Sequence, residues 1–92
     1  MYYVYVLKSE RDDGIYVGYT GDLRDRILRY QRGEVISTKA RRPLTLVYYE
    51  AYVSKFDARS REISLKKHGQ QREQLKKRIA QSLCIMAPSS SG

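Results

Sequence analysis

The 92-residue chain has a single cysteine, Cys84, no tryptophan, one phenylalanine and no run of about 18 apolar residues. One cysteine allows no intrachain disulfide, which fits a reducing compartment. With no long apolar run, no membrane-spanning helix is expected. The start, Met1–Lys8, is rich in tyrosine and lacks the charged-then-apolar pattern of a signal peptide, so a cytoplasmic location is expected. Acid is scarce beside base: 10 Asp+Glu face 18 Lys+Arg, a net charge of +8. Such an excess does not help folding. It fits a polyanionic partner, nucleic acid first and an anionic membrane second, against the plainer account of a charge kept for solubility. Tyrosine is abundant, with nine. It supplies a hydroxyl wherever it supplies a ring, which suits a nucleic-acid surface and equally a small core with wet edges.

A chain of this length is one domain, and it buries only about 60–65% of its extended-chain surface, so its core is thin. Met1–Lys8 reads as a strand with Tyr3, Tyr5 and Leu7 on one face and Tyr2, Val4 and Val6 on the other. Both faces are apolar, which predicts a central strand. Asp13-Gly14 signals a hairpin, and Ile15–Thr20 returns antiparallel, setting Tyr5 and Tyr16 at about one height. Asp22 is a helix N-cap, with Asp25 three residues on. Leu23, Arg26, Ile27 and Tyr30 form the inner stripe, and Gly33 the stop. Val35–Pro43 reads as a basic loop with Lys39, Arg41 and Arg42. Leu44–Val53 is apolar on both alternations and is expected to be central or well covered. Ser54 caps a basic helix to about His68, in which Glu62 is the only acid between Asp57 and Glu73. Taken alone, Glu62 reads as an i, i+4 partner of Lys66. His68, the only histidine, suits a helix end and reads as structural. A last helix spans Gln70–Leu83, and the segment 84–92 reads as a frayed tail after a domain of residues 1–83. The order is β-β-α-β-α-α, an α+β fold with a small three-stranded antiparallel-containing sheet flanked by about three helices.

Tyr3-Val4-Tyr5, Tyr16-Val17-Gly18, Arg26 ten residues after Tyr16, and Glu62 within Ser60–Lys66 occur in an order that resembles the GIY-YIG nuclease superfamily, in particular its small stand-alone bacterial members. The likeness runs from about Tyr2 to Leu83 and includes an Arg-Arg-Pro segment before the third strand. The literal string Gly14-Ile15-Tyr16 is a decoy, because it overlaps the second motif and no correctly spaced Tyr-x-Gly follows it. The chain departs from the family pattern in two places. Tyr30 stands where many members carry a histidine, and there is no asparagine to follow the glutamate helix.

The resemblance implies a metal-dependent endonuclease that hydrolyses phosphodiester bonds in DNA, with structure selectivity in repair or recombination and RNA left open as a substrate. It implies Tyr5, Tyr16, Arg26 and Glu62 as catalytic residues. Glu62 would hold one Mg²⁺ or Mn²⁺, Arg26 would meet the charge built up on phosphate, and Tyr5 would act as base with Tyr16 positioning the water. A phenol has a pKa of about 10, so that role for Tyr5 requires a neighbouring cation, Arg26, the metal or Lys8, to lower it. Tyr19, Tyr30, Lys39, Arg41 and Arg42 are expected nucleic-acid contacts, and Gly18 is expected to let substrate approach the strand. A monomer or weak dimer, with a protein partner supplying specificity, completes the expectation. The rival reading is a non-catalytic nucleic-acid-binding module.

Overall fold

The computed structural model describes residues 1–85. Its elements are β1 (Tyr2–Ser9), β2 (Ile15–Thr20), α1 (Leu23–Gln31), a 3₁₀ segment (Ile36–Arg41), β3 (Leu44–Tyr52), α2 (Lys55–Lys67), α3 (Gly69–Arg78) and α4 (Ala80–Ile85). The sheet is antiparallel, in the order β2-β1-β3. β1 is central because both of its alternations are apolar, and each face of the sheet carries its own core. Val4 and Val6 meet Ala58, Leu65, Leu75 and Ile79 from the later helices. Tyr5 and Leu7 meet Tyr30 of α1 and Leu44 of β3. The result is a three-layer arrangement, with α1 on one face and α2–α4 on the other.

The helix caps follow the residue chemistry. The Asp22 side chain accepts from the Asp25 backbone N–H at 3.1 Å, and Ser54 accepts from those of Phe56 and Asp57. Gly33 adopts φ +77°, a left-handed conformation that favours glycine, just past α1.

The structure differs from expectation in five places. β3 is an edge strand, not a central one. A bulge opposite Val6 and Leu7 switches its alternation, so Leu44 and Leu46 face the α1 layer while Val47, Tyr48 and Tyr52 pack towards the α2 layer. The basic loop contains the 3₁₀ turn. The last helix breaks at Ile79, which is buried at the junction of α3 and α4. The segment expected as a tail from residue 84 begins inside α4, and the rest of it lies outside the described residues. Tyr5 and Tyr16 share a face but not a height: Tyr5 lies opposite Gly18, and Tyr16 opposite Leu7, two residues along.

Candidate functional site at the β2 edge

Among the described residues β2 has no strand beyond it. At this free edge, side chains from the layers above and below the sheet can meet. A cavity of about 430 Å³ lies there, lined among others by Tyr16 of β2, Arg26 and Tyr30 of α1, Thr38 of the 3₁₀ segment, Lys66 of α2 and Arg72 of α3.

Arg26 is the best-anchored group. Its Nε donates to the Tyr5 hydroxyl at 3.2 Å, and its guanidinium carbon sits 5.7 Å from the centroid of the Tyr30 ring. The Tyr5 and Tyr30 hydroxyls are hydrogen-bonded to each other at 2.9 Å, with the rings edge to face. Arg26 has no carboxylate partner among the described residues. It lies on the inner stripe of α1, as the periodicity predicted, and phenols rather than an acid satisfy it.

Tyr5 is 1% exposed. Burial pushes its pKa up, the Tyr30 hydroxyl reinforces this, and Arg26 opposes it only in part. Arg26 alone therefore does not supply the lowered pKa that a base at Tyr5 requires. Lys8 gives no help, because it points to the other layer, where its Nζ donates to the Leu83 carbonyl. Tyr16 is also raised, by burial first and then by Asp12, against the opposing charge of Arg41. Its hydroxyl donates to Asp12 Oδ2 at 3.3 Å. Asp12 is itself pinned by the Gly14 N–H and by Arg41, which hold its pKa down at about 2. The single phenolic proton of Tyr16 is thus engaged with a carboxylate.

The glycine of Tyr16-Val17-Gly18 has a different task from the one expected. A methyl group on Gly18 would fall within 3.0 Å of Tyr5 Oη, Cζ and Cε1. The space above Gly18 is filled by the Tyr5 ring, so the second motif accommodates the first.

Glu62 approaches from the other layer. Ala58 and Leu65 turn α2 onto the sheet. Arg61 reaches over β3, where it meets Glu50 at 3.0 Å, and Glu62 lies towards β2. Its side chain is 16% exposed and pairs with Lys66 at 3.1 Å and, more loosely, with Arg59 at 3.8 Å. Lys66 lines the cavity, whereas Glu62 is one contact behind it. The i, i+4 pair read from the sequence is therefore present.

Of the remaining expected contacts, Tyr30 lines the cavity but is nearly buried. Arg41 is paired with Asp12 and so stands behind Tyr16. Lys39 and Arg42 line a different cavity. Tyr19 is on the α2 face, stacked on Tyr2 and covered by Arg59, away from the β2-edge cavity. Sequence reasoning missed Asp12 and Arg72, because a turn acid and one arginine in a basic helix carry no distinguishing pattern.

A family model described as the GIY-YIG catalytic domain matches residues 1–79. The chain belongs to the GIY-YIG family. This GIY-YIG domain is similar to small bacterial proteins named UPF0213 protein. It is 36% identical to that of Staphylococcus saprophyticus and 37% identical to that of Staphylococcus aureus, in each case over 73 residues, 78% of this chain and 88% of the relative. No solved structure matches the chain.

GIY-YIG proteins generally work with a divalent cation. Among the described residues of this GIY-YIG domain no group of three or more His, Cys, Asp or Glu could hold one. The donor set therefore does not fit an all-protein cage. A hard cation that takes one carboxylate and otherwise water and phosphate, as Mg²⁺ commonly does, could use Glu62, which stands one contact behind Lys66.

Proposed function

We propose that this protein is a divalent-metal-dependent endonuclease that hydrolyses phosphodiester bonds in DNA, with the scissile phosphate seated in the β2-edge cavity. The observation that carries this reading is Arg26, a guanidinium fixed by two phenols and facing a cavity without a carboxylate of its own. A phosphoryl oxygen suits such a group, because a planar fork of donors matches its geometry and no ion pair has to break. Lys66 and Arg72 add positive charge around the same space.

In this mechanism Arg26 strengthens its hydrogen bonds as charge builds on the phosphoryl oxygens. Tyr5 stays a neutral phenol and holds Arg26. Tyr16 has its proton directed at Asp12 and turns its lone pairs to the cavity, where they orient the attacking water. Glu62 would hold the cation, which when bound supplies Lewis-acid stabilisation of the phosphate. The removed proton passes to solvent.

A second reading has support of its own. Glu62 is engaged by Lys66 and Arg59 and stands one contact behind the cavity, so a nucleic-acid-binding module without cleavage uses the same surface. Nicking of supercoiled plasmid with Mg²⁺ or Mn²⁺ separates the two. Under the nuclease reading, Glu62→Gln abolishes nicking and leaves DNA binding intact, and Arg26→Ala lowers the rate by about 10²–10³. Nicking that survives Glu62→Gln ends the assignment of Glu62. Binding by a wild-type protein that cleaves no DNA with either metal establishes the binding module instead.

A further inference from the structure

A second basic cavity, of about 570 Å³, lies on the far side of the 3₁₀ segment. Consecutive residues divide the two: Thr38 and Tyr30 line the β2-edge cavity, while Lys39 and Gln31 line this one. Its cations are Arg11 from the β1–β2 turn, Lys39, and Arg42 ahead of β3. None of the three has a carboxylate partner among the described residues. Glu10, next to Arg11 in the chain, accepts from the Thr45 hydroxyl at 3.2 Å.

Arg42 differs from an ordinary surface arginine. Its Nε donates to the Lys39 carbonyl at 3.1 Å and its Nη1 to the Gln31 carbonyl at 3.2 Å. Its guanidinium lies flat against Gly33, where an added methyl would come within 2.8 Å of Cζ. The glycine that ends α1 thus also makes the bed for this side chain. Two backbone carbonyls fix the plane of the guanidinium, and Nη2 has no hydrogen-bond partner among the described residues. Little side-chain freedom remains to be lost when an anion docks. Arg11 and Lys39 are exposed and can close on the same anion.

We infer that Arg11, Lys39 and Arg42 form a second phosphate subsite, which grips an uncleaved phosphate of the same nucleic acid while the β2-edge cavity holds the scissile one. This rests on the nuclease or binding reading above and adds where the flanking backbone runs, which is across the 3₁₀ segment. Phosphate contacts of this kind set position and register and carry no base information.

The test is fluorescence anisotropy of a labelled 20-base-pair DNA duplex with the full chain, over a range of NaCl concentrations. Arg42→Gln, Lys39→Gln and Arg11→Gln are measured beside Lys77→Gln on α3 as a control. Each subsite variant is expected to weaken binding and to reduce the slope of log K against log salt by about one. With nicking as a second readout, KM rises while kcat holds, unlike the loss of kcat expected for Arg26→Ala. Arg11→Gln and Lys39→Gln remove no side-chain hydrogen bond found among the described residues, so they guard against misfolding of the Arg42 variant. Unchanged slopes in all three, or an equal fall in Lys77→Gln, would overturn the subsite while leaving the nuclease reading in place. Failure of the wild-type protein to bind the duplex would overturn both.

Discussion

Replacing Gly18 by alanine should be among the most damaging single-methyl changes in this protein. The added carbon would lie within 3.0 Å of three atoms of the Tyr5 ring, where carbon pairs normally rest about 3.5–4.0 Å apart. The ring has nowhere to go: it is 1% exposed, meets Tyr30 edge on, and its hydroxyl is bonded to both Tyr30 and Arg26. Overpacking of this kind costs about 1–3 kcal/mol. Displacing the hydroxyl from its two partners adds about 0.5–1.5 kcal/mol for each. The sum is roughly 2–6 kcal/mol, a large share of the 5–15 kcal/mol typical of a whole domain, and it corresponds to a Tm lowered by about 10 °C or more. Urea unfolding of the four members of a double-mutant cycle with Tyr5→Leu isolates the cause. Leucine lacks all three clashing atoms, so in that background Gly18→Ala should cost under about 1 kcal/mol. Simple additivity of the two changes, or a Gly18→Ala cost under about 0.5 kcal/mol in the native background, would refute the account.

Further outcomes follow from the same contacts. Ser9 is fully buried, donates to the Arg41 carbonyl at 2.7 Å and accepts from the Arg11 and Asp12 backbone; Ser9→Ala should cost about 1–3 kcal/mol in urea unfolding. Tyr30→Phe keeps the ring under Arg26 and loses the hydroxyl bond to Tyr5, a cost of about 0.5–1.5 kcal/mol by thermal unfolding. At Glu50, burial alone would raise the pKa, but Arg61, Tyr48 and Tyr52 outweigh it and the net shift is downward. A lowered carboxylate pKa stabilises the fold above the ordinary glutamate value of about 4.3 and loses that contribution as pH falls through the folded value. Denaturant midpoints should therefore drop on acidification below that point, less steeply for Glu50→Gln. Asp12→Asn should lower kcat for nicking more than it raises KM, because it disturbs the acceptor of the Tyr16 proton and no phosphate contact.

The central place of β1, the caps and the inner stripe of α1 were legible in the sequence because each depends on local chemistry: two apolar alternations in Tyr2–Leu7, Asp22 and Ser54 before helices, Leu23, Arg26, Ile27 and Tyr30 at helical spacing. β3 was misread for a physical reason. Its bulge changes the phase of alternation part-way, so a strand covered on one face at a time looks apolar on both. The anchoring of Arg26 was half legible, since periodicity put it beside the core but could not supply Tyr5 and Tyr30 as partners, 21 and 4 residues away. The role of Gly18 was invisible, because it depends on a cross-strand register that no short motif encodes. Asp12 and Arg72 reach the site only through tertiary placement.

Glu50 and Arg61 lie on the opposite flank of α2 from the cavity, yet they determine where Glu62 points. Successive residues on a helix are separated by about 100°, and side-chain tips lie about 5–6 Å from its axis. A roll of α2 by about 20° would swing the Glu62 carboxylate by about 2 Å, far beyond the tolerance of Mg²⁺ coordination. The clamp of Arg61 on Glu50, reinforced by the Tyr48 and Tyr52 hydroxyls, acts as a keyway against that rotation. An acid on the far strand can thus govern the aim of a carboxylate it never touches.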